Sequence, residues 1–540
     1  MKSKTWTWLT LFSALFIAAL LRFLYLGSPF ESSDNAEVAV KITTFPGYAW
    51  IIKQSHSAFI FFYVKIFAGL ISLLHVRITE FWWKAPIALA GVCQIPLTYF
   101  FLKRLGYRKI GSVSAAAFIA VLPIHVFQSR FSYGYEVLGV TFVTIAIWAL
   151  VDFFEHPTKI TGLKASFFTG LYLISHVYIV PFIFCLASIA VIFGPKYNSN
   201  IFHGACAAAA DAARKLVWVF PVLFFPFYYH AIAHTLEKSS RLGCYLPHHI
   251  GGFVGNIGLF LTLLLVISII MGAVYKDLRS KYTLLFTASG LCYLLPLFFG
   301  APPGITVIRG FMLMGIYFWV LCLACVLDRF SVKHQKLVII FIAACYLITL
   351  CGTAQAIFGN NKSPGINRIE IERGGIYDPG SKAAGYLIRK YVPSSARLAA
   401  LHRAVEPENL IYYFGRKKYA FHDLSSDEMN AKLDEIKDSS DVIICEDAQA
   451  PRLDADMDFR KIFCIIPENM DTRMLVYARV NINILPRDIN RSQRRALNHA
   501  YDAEYSPKIN LLWGIKRDVK FLTMLFKKDT AIKILRKYIS

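Results

Sequence analysis

The chain of 540 residues is 56% hydrophobic and only 17% charged, with a mean hydropathy of +0.48, whereas a soluble domain holds about 45–50% apolar and about 25% charged residues. That balance excludes a disordered chain, a collagen-like repeat and a small disulfide scaffold. The 58 Lys+Arg against 35 Asp+Glu give a formal net charge of +23; no basic cluster belongs to a nucleic-acid-reading module, so the charge reads as basic loops facing anionic headgroups and not as nucleic-acid binding.

A hydrocarbon core of about 30 Å takes roughly 20 apolar residues per helix. The first candidate span, Thr5–Leu26, follows Lys2 and Lys4 and lacks a small-x-small cleavage site, which predicts an uncleaved helix. Next comes a polar loop, Gly27–Lys53, and then Ser57–His75, apolar but carrying Lys65 between His56 and His75. Further spans are predicted over Phe81–Leu102, Ile110–Gln128, Tyr133–Phe154, Ile160–His176, Val177–Phe193, Lys215–His234, Gly252–Tyr275, Tyr282–Phe299, Gly310–Leu327 and Lys336–Phe358. Cys322 and Cys325 form a C-x-x-C inside one of these, where packing explains them.

Lys and Arg cluster at 103–109, 159–164, 196–215, 276–281 and 329–336. All fall on the side of Lys2 and Lys4 if Ser57–His75 lies in the interface, and on the other side if it crosses. The positive-inside bias therefore selects an interfacial helix, about eleven spans and a cytoplasmic N-terminus in the inner (cytoplasmic) membrane. A Lys at the bilayer centre would also cost roughly 2.5–3.5 kcal/mol. This order divides the chain into a membrane domain over 1–358, an extracytoplasmic α/β domain over 359–485 and a basic tail over 486–540. In the α/β domain the sequence predicts a helix over Ser381–Tyr391, strands at Ala396–Leu401, Asp441–Cys445, Lys461–Ile466 and Met474–Val480, and a capped helix from Ser425 to Ile436. The stretch Ile509–Ile539 mixes Leu, Ile and Phe with Lys and Arg, as in a helix lying on headgroups or in a solvated basic extension.

Chemistry on the outer face has few candidates. Glu31, Asp34 and Glu37 follow the first span; Asp34 reads either as a functional carboxylate or as the N-cap of a helix from Asn35. Glu136 stands at the entrance of the fourth span beside Tyr135, where an ionisable group faces a polar cavity or pairs with Arg130. Arg309 opens a helix after Gly300-Ala-Pro-Pro-Gly304, as a phosphate ligand or a topological anchor. Lys53, His56, Arg241, His248 and His249 are further outward candidates, functional or inert. The aromatic run Phe220–Tyr229 reads as a lipid groove or as interfacial packing.

In its first third the chain resembles the C-type integral-membrane glycosyltransferases, which include protein O-mannosyltransferases and aminoarabinose transferases. The resemblance rests on Asp34-Asn35-Ala36 after the first span, on Lys103-Arg104-Leu105-Gly106-Tyr107-Arg108, on Ala115-Ala116-Ala117, and on Pro123-Ile-His125-Val-Phe-Gln-Ser129-Arg130 leading to Tyr135-Glu136. Asn35 stands where the family has a second acid, and His56-Ser57-Ala58 replaces a His-Pro-Pro or Lys-Pro. The resemblance implies an enzyme moving a sugar, with inversion, from a polyprenyl-phosphate carrier to a lipid, glycan or protein acceptor. Asp34 would be its general base and Glu136 a second catalytic acid. Arg309, Arg130, Arg241, Glu37, His56 and Tyr135 would bind substrate. The resemblance leaves metal use open: a divalent ion shared by Asp34 and Glu136 would be Mg²⁺- or Mn²⁺-like. A transporter or lipid-linked-sugar flippase is the non-enzymatic alternative. A polysaccharide polymerase or ligase is a nearer one, but its large late loop is missing.

Overall fold

A computed structural model describes residues 2–30, 33–44, 58–175, 179–215, 257–278, 280–299, 305–358, 378–402, 405, 407–416, 419–421, 426–468, 472–507 and 509. Its helical body begins with α1 (Lys2–Phe23), α2 (Ser33–Thr44), α3 (Ala58–Leu73), α4 (Glu80–Arg104), α5 (Lys109–Val121), α6 (Pro123–Ser129) and α7 (Tyr135–Glu155). It continues through α8 (Lys159–Ser175), α9 (Ile179–Phe193), α10 (Ile201–Lys215), α11 (Leu259–Val274), α12 (Lys281–Phe299) and α13 (Ile305–Phe358). Among the described residues α4, α7 and Met312–Phe358 are long and apolar enough to cross a membrane, and α5 with α6 makes a fourth, bent span. Thr7–Phe23, Phe59–Leu73, Cys185–Lys196, Leu259–Val274 and Tyr282–Leu294 are shorter apolar helices. The predicted Lys215–His234 span and the Phe220–Tyr229 run lie outside the described residues.

Three expected spans change form. Ile110–Gln128 is not one rod, because α5 and α6 meet at 57°: Pro123 has no N–H to give and its ring disfavours helix at Leu122. The expected pair Gly310–Leu327 and Lys336–Phe358 runs as α13 with non-helical dihedrals only at His334. Asp328 reaches Gly111 at the start of α5, whereas Thr353 reaches Val121 at its end. α13 therefore doubles back at His334 into two antiparallel arms.

The break at Pro123 strips carbonyls of their helical donors, and such groups must be satisfied where water is absent. Arg22 of α1, fully buried, donates to Ala120 O at 2.9 Å, Ile119 O at 3.2 Å and His125 Nδ1 at 2.8 Å, while Thr353 donates to Val121 O. The exchange is reciprocal, since Arg130 Nη1, just past α6, donates to the terminal α1 carbonyls of Leu21, Arg22 and Leu24. Gly91 of α4 lets Ser129 and the Arg22 guanidinium approach closer than any Cβ would allow. Arg22→Leu orphans two carbonyls and a histidine, each buried acceptor costing about 1–3 kcal/mol. Its unfolding temperature in detergent should fall well below that of Arg22→Lys, which keeps a donor.

Helix α3, 16 residues and about 24 Å long, packs against α2, α4, α7 and α8. Tyr63 donates to Pro86 O, Phe59 packs edge-on to Phe142, and Ser72 accepts Ile509 N–H. These contacts hold it along the N-terminal halves of α4 and α7.

The C-terminal domain comprises α14 (Ser381–Tyr391), β1 (Leu398–Ala400), α15 (Pro407–Tyr412), β2 (Tyr419–Phe421), α16 (Ser426–Ser439), β3 (Val442–Cys445), α17 (Ala450–Asp454), β4 (Phe459–Ile465), β5 (Met474–Arg479), β6 (Arg487–Ile489) and α18 (Arg491–Tyr505). Its six-stranded sheet has the order β2-β1-β3-β5-β4-β6, parallel across β2, β1 and β3 and antiparallel from β3 to β5 to β4. The sequence places a tail beyond residue 485; instead β6 pairs with β4, and α18, opened by an Asn490/Gln493 capping box, packs on α14. Arg494 anchors α18 by pairing with Asp378 and Glu468. The tail from 510 lies outside the described residues.

Candidate functional site

The C-terminal domain grips the loop that follows α1. Phe30 N–H donates to Tyr413 Oη at 2.7 Å, Ser381 Oγ donates to Phe30 O at 3.4 Å, and Lys84 Nζ donates to Ser28 O at 2.9 Å. The Phe30 ring lies edge-on to Tyr412, whose hydroxyl accepts Trp83 Nε1–H. Tyr413 in turn donates to Glu80 Oε1 at 2.9 Å; burial pushes its hydroxyl well above the usual phenol range, so it remains a donor. Lys382 Nζ bridges Glu80 Oε2 and Asp502 Oδ1, both at 2.7 Å. Burial works against that ammonium, but the two carboxylates outweigh it and hold its pKa above that of a free lysine.

Two acids thus share one cation. Burial, and then the Glu80 charge, push the Asp502 carboxyl up from 3.8 to about 6, although Lys382 pulls it back. The folded chain therefore binds more protons than the unfolded chain between these values. This contribution to stability is complete below pH 3.8 and is lost as pH rises through about 6. Asp502→Asn should flatten the slope of unfolding temperature against pH in that window, measured from pH 4 to 7.

Helix α2 emerges from the gripped loop and starts at Ser33, so Asp34 lies inside the first turn and not at the N-cap expected for a helix from Asn35. One turn on, Glu37, expected among the substrate-binding residues, pairs with Lys41. Lys41 Nζ stands 5.3 Å over the Phe61 ring; Phe61 packs 5.8 Å from Tyr133, and Tyr133 5.1 Å from Tyr135. These contacts carry α2 to the start of α7, where Glu136 is buried.

Arg309 lies at the same level. Thr144 of α7 donates to Tyr317 Oη of α13 at 2.8 Å, and both helices run from the end of the bundle that meets the C-terminal domain. Eight residues earlier on each stand Glu136 and Arg309, about 12 Å higher by helix rise. Beneath them Gln94 donates to Thr98 and Thr144, a polar floor between α4 and α7.

The structure thus draws α2, Tyr135–Glu136 and the Arg309 turn of α13 to one end of the bundle, beneath the C-terminal domain. Arg130 differs from its expected part as a phosphate ligand: it is buried and donates to the α1 terminus. The side chains of Asp34 and Arg309, and the whole of His56, Lys53, Arg241, His248 and His249, lie outside the described residues. Among the described residues no three His, Cys, Asp or Glu side chains gather as for a metal. Sequence reasoning missed Arg22, Glu80, Lys84 and Lys382. The first three carried the signal already applied to Glu136, an ionisable group within or beside an apolar run.

No family model and no curated protein matches the sequence. Among solved structures, ArnT from Cupriavidus metallidurans in the apo state superposes with a TM-score of 0.56 at 11% identity, covering 90% of this chain and 100% of that one. The same protein bound to undecaprenyl phosphate gives 0.54 at 11% identity, covering 89% and 99%. The Archaeoglobus fulgidus oligosaccharyltransferase, in complex with Zn and sulfate, gives 0.51 at 14% identity, covering 81% and 68%.

Proposed function

We propose, on the premise that the chain has the fold of these C-type integral-membrane glycosyltransferases, that it transfers a sugar from a polyprenyl-phosphate-linked donor to an acceptor at the extracytoplasmic face. The observation that carries the reading is the common level of α2, Glu136 and the Arg309 turn at the end of the bundle that meets the C-terminal domain. It is supported by the undecaprenyl phosphate in the superposed ArnT structure.

In this mechanism the Asp34 carboxylate takes the proton of the acceptor hydroxyl as that oxygen forms its bond to the anomeric carbon. The bond from that carbon to the phosphate oxygen breaks on the opposite side, its electron pair leaving with polyprenyl phosphate, so configuration inverts. Fixed positive charge at the departing oxygen stabilises the transition state, and Arg309 supplies it. Glu136 orients the acceptor.

Reconstitution in proteoliposomes with a panel of polyprenyl-phosphate sugars tests the reading. Release of free polyprenyl phosphate together with a glycosylated acceptor is expected. Movement of an intact donor across the bilayer without cleavage would overturn the proposal in favour of a flippase.

A further inference from the structure

A cavity of about 280 Å³ opens between α11 and the two arms of α13, lined by apolar side chains including Leu264, Met271, Leu323, Phe330, Leu337 and Phe341. It lies at the end of the bundle remote from the C-terminal domain, beside the contact of Asp328 with the start of α5. Leu337 and Phe341 are exposed, so the cavity faces the bilayer. Immediately past it, the turn at His334 presents Arg329, Lys333 and Lys336, and Lys276 follows α11, all of them exposed. Two acids stand near them. Asp277 is 4.0 Å from Lys333, and Asp328 accepts the backbone N–H groups of Arg108 and Gly111.

We propose that this cavity and its cationic rim form a binding site for an anionic diacyl phospholipid, one acyl chain filling the cavity and the phosphate lying between Lys333 and Lys336. Lipid tails are as apolar as the wall, so the cavity fixes where the lipid sits and does not choose among tails. Selection falls to the headgroup: each basic side chain near an anionic surface favours binding roughly fivefold. The lining side chains supply no polar recognition, which suits a hydrocarbon chain and not a sugar or a peptide. The site is separate from the transfer site and stands or falls independently of it.

The full-length protein in detergent, titrated with phosphatidylglycerol or phosphatidylcholine and read by native mass spectrometry, tests this. Phosphatidylglycerol should be preferred by about 25-fold, the product of two lysines at roughly fivefold each. In Lys333→Gln/Lys336→Gln, whose changes are on exposed side chains and leave folding intact, the two lipids should bind nearly equally. Leu264→Trp, which fills the cavity, should lose both lipids, with its unfolding temperature measured in parallel. Equal retention of the two lipids by the unaltered protein overturns the proposal. So does a preference that survives the double substitution, or displacement of phosphatidylglycerol by an equal concentration of polyprenyl phosphate.

Discussion

Lys382→Met should release the C-terminal domain from the helical body. Lys382 is 2% exposed and is the ammonium between Glu80 and Asp502. Removing one partner of a buried ion pair costs about 3–5 kcal/mol, because the stranded charge has lost its water and gains nothing in return. Here two carboxylates would be stranded 2.7 Å from where the ammonium stood, and Tyr413 would be left as the donor to Glu80. The expected result is a separate, early unfolding transition of the C-terminal domain. Lys382→Met combined with Glu80→Gln should recover much of the loss, since the second change removes the buried charge itself. A single transition unaltered in Lys382→Met would show that the seam is held by its aromatic contacts instead.

Asp34→Asn should lower the rate of sugar transfer by about 10²–10⁴-fold, the usual yield of general-base catalysis. The amide keeps the size and much of the hydrogen bonding of the carboxylate but takes up no proton, so donor binding should persist. Glu136→Gln should act differently, raising KM for the acceptor more than it lowers kcat, because an orienting group loses charge without losing its place. The assay is release of polyprenyl phosphate by each variant in proteoliposomes of identical composition. Transfer by Asp34→Asn at the unaltered rate would remove Asp34 from the chemistry.

Some of this could be seen in the residues alone. Hydropathy and length are local quantities, so α4, α7 and α12 fall within a few residues of the predicted Phe81–Leu102, Tyr133–Phe154 and Tyr282–Phe299. The strands at Val442–Cys445 and Met474–Arg479 were legible for the same reason, as short apolar runs between polar segments. The three-residue strands β2 and β6 carry too little pattern to be told from loop, and α18 is polar enough to pass for a tail.

The candidate site was legible only as residue types. Asp34, Glu136 and Arg309 attract attention because charge beside an apolar span is costly. By that rule Arg22, Glu80 and Arg130 attract as much, yet their partners lie far along the chain. Arg22 meets Ile119 and Ala120, Arg130 meets Leu21, and Glu80 meets Lys382.

The sequence by itself determined a multi-pass helical chain with a mixed α/β domain at its C-terminal end, since burial in lipid or in a sheet is written in the order of apolar side chains. Which charged groups hold the fold together, and which remain for chemistry, was decided by tertiary structure alone. A guanidinium or carboxylate has the same local signature in either part; its energy depends on the carbonyl, ammonium or hydroxyl that folding brings within hydrogen-bonding distance.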